Sequence, residues 1–180
     1  MKKLSLEELN RMDVGSYRQV PKIPLIVILD NIRSGLNVGS IFRTSDAFRI
    51  EKIYCVGISA VPPHREILKT ALGATDAVDW EYRKEGVELA RALKKEGVKL
   101  IVLEQADSSV DIAHFTPETD QKYAVVFGNE VGGVSDDIFH MADRVLEIPQ
   151  FGTKHSLNVA VCAGIVLWKL SAFWPKEKNN

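Results

Sequence analysis

No stretch of this chain is apolar for long enough to cross a bilayer, and its N-terminus, MKKLSLEELNRM, lacks the apolar centre of a signal peptide. Both absences predict a cytoplasmic protein with no membrane partner. Cysteine is scarce: Cys55 and Cys162 are the only two, far apart and without metal-type pairing, so they read as reduced core residues. His64, His114, His140 and His155 are scattered without ligand spacing, and no metal site is expected. Charge of neither sign dominates. With 23 Lys and Arg against 24 Asp and Glu the net charge is −1, which excludes a protein that coats nucleic acid through general basicity. Local clusters remain open to it, because Arg33, Arg43, Arg49, Lys52 and Arg65 all fall in the first half.

Nucleotide signatures are missing too. A phosphate-binding loop needs G-x-x-x-x-G-K-[ST], and a dinucleotide site needs G-x-G-x-x-G after the first strand, where this chain has SGLNVGS. No serine or cysteine sits in a recognisable nucleophile elbow. There is no internal repeat, low-complexity segment or linker, and 180 residues suit a single domain with a sizeable core.

What is present alternates. The continuous apolar runs LIVIL (25–29), KLIVL (99–103) and YAVVF (123–127) are of the kind buried on both faces of a parallel sheet. Shorter strands are expected at 53–56, at 77–82 and at 144–148. Helices are expected from near Asn37, with Val38, Ile41, Phe42, Ser45 and Phe48 inward, and to near Gly73; a third covers 87–96 and a short one runs from Ser135 to Met141. This pattern predicts an α/β protein built on an open, mostly parallel sheet with helices on both faces. Residues 1–20 read as a docking arm or amphipathic helix with Leu4, Leu6, Leu9 and Met12 at helical spacing, residues 21–175 as the domain, and 176–180 as a frayed tail.

The chain is organised around residues 143–170, DRVLEIPQFGTKHSLNVAVCAGIVLWKL. Pro149 stops a strand, Gly152 loosens the loop, and a helix is expected from near Ser156. Leu157, Val161, Ile165 and Trp168 recur at helical spacing, but Ala160, Cys162, Ala163, Val166 and Leu167 fill the other faces. A helix apolar nearly all round is covered on more than one side, by its own domain and by a second subunit. Ser156 and Asn158 stand out against it, either as caps for free backbone N–H groups or as ligands for a small molecule over the loop.

In open α/β sheets ligands lie beyond the carboxyl ends of the strands, and three loops there are rich in glycine and polar side chains: DNIRSGLNVGSIFR, GNEVGGVS and PQFGTKHSLN. Each is also compatible with an ordinary strand-to-helix turn. Together they resemble the SpoU, or TrmH-like, family of RNA ribose 2′-O-methyltransferases of the SPOUT superfamily. NVGSIFR fits the first motif, N-x-G-x-x-x-R, through Asn37, Gly39 and Arg43; FGNEVGGVS fits the second through Gly128, Glu130 and Gly133; IPQFGTKHSLN fits the third through Ile148, Pro149, Gly152, Ser156, Leu157 and Asn158. KTALGATDAV is similar to the segment between motifs. His155 departs from the pattern, since many members carry an acidic residue there.

The resemblance implies a deep C-terminal trefoil knot, S-adenosylmethionine as cofactor, a tRNA or rRNA substrate and a homodimer packed through the knot helices. It implies cofactor contacts from Leu103, Gly128, Ile148, Leu157, Ser156 and Asn158. It places catalysis on Arg43, with Asn37, Glu130, Ser156 and Asn158 around it. Taken without the motif, Arg43 reads as an exposed helix residue paired with Asp46 or Glu130. Two other readings compete with the enzyme: a non-catalytic knotted RNA-binding or assembly protein, and an S-adenosylmethionine enzyme with a non-RNA substrate.

Overall fold

The computed structural model describes residues 1–5 and 7–174, so Leu6 of the N-terminal segment, Pro175 at the end of the expected domain and the tail 176–180 lie outside the described residues. Among the described residues the strands are β1 (Ile23–Asp30), β2 (Ile50–Val56), β3 (Trp80–Arg83), β4 (Lys99–Leu103), β5 (Val110–Asp111), β6 (Tyr123–Phe127) and β7 (Arg144–Glu147). They form one sheet in the order β3-β2-β1-β6-β4-β7-β5, and every pairing is parallel. The helices are α1 (Val14–Gln19), α2 (Gly35–Ala47), α3 (Arg65–Ala71), α4 (Ala74–Ala77), α5 (Gly86–Lys95), α6 (Asp136–Phe139) and α7 (Val159–Ser171).

The alternation of side chains along a strand explains the two layers. Leu25, Val27 and Leu29 of β1 face a core shared with Val38, Ile41 and Phe42 of α2 and with Ala163, Val166 and Leu170 of α7. Ile26 and Ile28 face the other side, where Leu89 and Leu93 of α5 meet Ile138 of α6. With both faces covered, the central strands tolerate no polar interruption, which is why they read as unbroken apolar runs.

Strand β7 is seated between β4 and β5, two strands that precede it in the chain. The loop 104–109 joining β4 to β5 therefore crosses the line of β7. Helix α7 then returns to α2 and to the 3-10 turn at Ile112–His114, where the Lys169 ammonium donates to the Ala113 carbonyl at 3.2 Å.

Several boundaries differ from the sequence expectation. Regular helix at the N-terminus is confined to α1, where Asp13 caps the Ser16 amide, Tyr17 is buried and Arg18 donates to the Asp76 carbonyl at 2.6 Å. Leu4 and Leu9 are exposed. The strand expected at 77–82 begins only at Trp80, because Ala77 is the last residue of α4: Leu72 and Gly73 adopt left-handed backbone, which ends α3 and starts that next turn. Strand β5 pairs only two residues with β7 and carries no periodicity of its own. Ser135 precedes α6 as expected, yet its side chain caps nothing and instead donates to Asp30 Oδ2 at 2.8 Å. Helix α7 begins at Val159, and its cap is Asn158, whose Oδ1 accepts from the Ala160 and Val161 amides. Ser156 lies before it in an exposed loop.

Candidate functional site

The three polar loops converge at the carboxyl ends of β1, β6 and β7. Asn37, in the first turn of α2, donates from Nδ2 to Glu130 Oε1 at 2.7 Å. Its Oδ1 accepts from Asn158 Nδ2 at 3.1 Å, while Asn158 keeps its own Oδ1 on the start of α7. One amide side chain thus ties together loops 93 and 121 residues away along the chain. An asparagine can do this because it carries a donor and an acceptor on the same planar group.

The loop after β6 is held in shape by its own backbone. Asn129 and Gly133 exchange two amide–carbonyl bonds of 2.9 Å, and Asn129 Oδ1 accepts from Val131 and Gly132. Asn129 Nδ2 donates to the Asn31 carbonyl at 2.8 Å, which fixes the turn to the end of β1. Two glycines are obligatory there. A Cβ on Gly128 would lie 2.1 Å from the Val134 nitrogen, and one on Gly133, whose φ is +68°, would lie 2.3 Å from Glu104 Oε2.

Beside this junction is a cavity of about 580 Å³. Leu103, Leu146, Ile148 and Leu157 give it apolar walls, and Gly128, Glu130, Ser156 and Asn158 line its polar side. All six residues expected to contact a cofactor line it. Of the residues expected to be catalytic, Asn37 stands outside the lining and bonds to two residues of it, Glu130 and Asn158, whereas Glu130, Ser156 and Asn158 line it as well. Arg43 does not. It lies exposed on α2, about 120° round the helix from Asn37 at 100° per residue. Neither does it form the ion pair with Asp46 or Glu130 that an ordinary surface arginine would, among the described residues.

A sequence profile described as the SpoU rRNA Methylase family matches residues 24–168. The chain belongs to that family. A 23S rRNA (guanosine-2′-O-)-methyltransferase RlmB of Neisseria meningitidis is 32% identical over 145 residues, which are 80% of this chain and 56% of the relative. A tRNA (guanosine(18)-2′-O)-methyltransferase of Thermus thermophilus is 30% identical over 148 residues, 81% of this chain and 73% of that enzyme. Among solved structures, an AdoMet-bound rRNA methyltransferase from Sinorhizobium meliloti superposes with a TM-score of 0.77 at 27% identity, covering 85% of this chain and 58% of its own. The chain spans little more than half the length of the Neisseria relative it matches.

This SpoU-family cavity also contains residues that no motif singled out. Glu104 and Gln105 enter it from the end of β4, Glu147 from the end of β7, and His155 and Cys162 from either side of Asn158. Glu104 Oε2 accepts from the Val134 amide at 3.2 Å, and Gln105 Nε2 donates to the His155 carbonyl at 2.8 Å, so the loop after β4 braces both neighbouring loops. The available signal was position: Glu104 is the first residue after an apolar strand, where α/β sheets put their ligand groups. Cys162, expected in the core, is only half-buried and lines the cavity. Burial, and secondarily the charge of Glu104, pushes its thiol up to about 11, which keeps it protonated and unreactive at neutral pH. Among the described residues no cluster of His, Cys, Asp and Glu could hold a metal ion, and no helix is long and apolar enough to cross a membrane.

Proposed function

We propose that this chain is an S-adenosylmethionine-dependent methyltransferase that acts on a ribose 2′-hydroxyl of tRNA or rRNA. The observation that carries the reading is the Glu130–Asn37–Asn158 hydrogen-bond chain at the rim of the cavity. Three loops remote in sequence are locked together there, and an adventitious set of turns has no reason to share one amide. The cavity fits the donor: its volume is that of a small-molecule site, with apolar walls for an adenosyl group and side-chain-free backbone at Gly128, whose Cβ position is filled by the Gly133–Val134 backbone. Leu103, Gly128, Ile148 and Leu157 hold the adenosyl part, and Ser156 and Asn158 supply polar contacts. When bound, the cofactor supplies an electrophilic methyl on a sulfonium.

The protein must align the attacking oxygen and help remove its proton. The role of the Arg43 guanidinium, whose planar donors suit phosphate geometry, is to grip an adjacent phosphate and stabilise the developing alkoxide. Glu130 and Asn37 orient the ribose beside it.

A second copy of the chain completes the site. Val161, Ile165 and Trp168 form an apolar stripe along the outer face of α7, with Trp168 64% exposed, while Ala163, Val166 and Leu170 face the core. A stripe of this kind is an association surface. Because α7 packs on α2, two copies joined through α7 bring the α2 of one beside the cavity of the other, and Arg43 then serves its partner's cavity. The insertion of β7 between β4 and β5, with α7 following it, supports the reading of a C-terminal trefoil knot. Changing Ile165 and Trp168 together to Glu is expected to convert a dimer to a monomer in light scattering while the far-ultraviolet circular dichroism is retained; a dimer that persists would place the contact elsewhere.

The activity is tested by incubating the protein with S-adenosylmethionine labelled in its methyl group and total RNA, followed by digestion to nucleosides. Label in 2′-O-methylribose is the expected result. Label elsewhere, or none, would replace the reading with another acceptor or with a binding protein.

A further inference from the structure

The charged groups lining the cavity are unusually one-sided. From its own chain the cavity takes three carboxylates, Glu104, Glu130 and Glu147, and one basic side chain, His155, and the single Arg43 guanidinium that a second copy brings leaves the carboxylates in excess. Glu104 and Glu147 are half-buried. Glu104 is fixed by the Gln105 amide on one oxygen and the Val134 amide on the other, so it cannot swing away to solvent without releasing the loop after β6. Glu104 and Cys162 both line the cavity, and the Glu104 charge adds to burial in raising the Cys162 thiol.

Methyl transfer changes the ligand's charge. A ribose oxygen bonds to the methyl carbon, the carbon–sulfur bond breaks with its electron pair going to sulfur, and the hydroxyl proton leaves to solvent or a base. S-adenosylmethionine, with a sulfonium, an ammonium and a carboxylate, carries a net charge of about +1, and S-adenosylhomocysteine about 0. An excess of half-buried carboxylates favours the first over the second, because charges at a partly desolvated site interact far more strongly than in water. We infer that this pocket discriminates between methyl donor and spent product by charge, with Glu104 as the specificity-determining residue and Glu147 reinforcing it. The inference rests on the methyl-donor reading of the cavity. Its consequence is release of the product under conditions where the donor stays bound, which limits product inhibition.

Isothermal titration of the full chain with S-adenosylmethionine, S-adenosylhomocysteine and sinefungin, whose amine puts a cation where the sulfonium sits, separates the possibilities. In the wild-type protein the two cations are expected to bind about tenfold or more tightly than S-adenosylhomocysteine. Glu104→Gln is expected to bring the three affinities within about threefold of one another, chiefly by weakening the cations. Glu147→Gln produces a smaller change in the same direction and leaves the loop after β6 untouched. Equal affinity of the wild-type protein for all three overturns the inference while leaving the cofactor site standing. No binding of any of them overturns the proposed function. Equal weakening of all three by Glu104→Gln, with no change in Glu147→Gln, assigns Glu104 to holding the loop and removes it as the charge selector.

Discussion

Arg43→Ala is expected to lower the rate of methyl transfer by about 10²–10³-fold while leaving the affinity for S-adenosylmethionine within about twofold of wild type. The cavity explains the split. Its walls come from the ends of β4, β6 and β7 and from the loop before α7, and Arg43 is in none of them. In the proposed mechanism, removing it takes away a cation that holds the neighbouring phosphate in the ground state and the ribose oxygen as charge develops on it in the transition state. The loss therefore falls on kcat and on RNA affinity, not on the donor. Nor does the change threaten the fold, since the side chain is exposed and an alanine in the middle of α2 favours helix. Single-turnover rates with saturating donor, beside equilibrium titration of the donor, measure the two quantities independently. Undiminished turnover would remove the arginine from the mechanism, and lost donor affinity would mean that α2 shapes the cavity in a way its hydrogen bonds do not convey.

Much of the architecture could be read from the chain because both faces of the sheet are buried. Strands such as LIVIL and YAVVF must be apolar throughout, and the structure keeps β4 and β6 to the same residues that the runs delimit. Elements whose stability comes from tertiary contacts were illegible. Strand β5 exists only because β7 lies beside it, and α4 is a single turn set off by the left-handed pair Leu72 and Gly73. The site divides along the same line. Asn37, Glu130 and Asn158 belong to motifs, but the sequence alone does not reveal that they bond to one another. Nor could it show that Asn158 alone caps α7 while Ser156 stays in the loop, because both residue types are good caps and only backbone geometry selects one. Glu104 was hidden for a different reason: its partner is a backbone amide, Val134, and backbone partners leave no trace in side-chain spacing.

Gly128→Ala is expected to abolish donor binding, weakening it by at least about 100-fold, or about 2.7 kcal/mol. The new methyl would fall 2.1 Å from the Val134 nitrogen and 2.2 Å from the Gly133 carbonyl carbon, and both are backbone atoms that cannot rotate aside. The loop after β6 must therefore move as a unit, which drags Glu130 from Asn37 and opens the adenosyl wall. The cost to stability is about 1–3 kcal/mol, small enough for a folded protein to be purified and its circular dichroism and dimer mass checked. Because this variant damages the cavity and Arg43→Ala damages only the arginine, the two together test how the proposed dimer is used. Coexpressed in equal amounts, they give a dimer population of which about half is mixed. If the arginine serves its partner's cavity, each mixed dimer has one site built wholly from undamaged parts, and activity returns to about a quarter of wild type from two inactive proteins. If each subunit uses its own arginine, every site in the mixed dimer lacks either the cation or the cavity and no activity returns. Recovery is the expected outcome, since Arg43 lies outside the cavity of its own chain and on a helix packed against the apolar stripe-bearing α7.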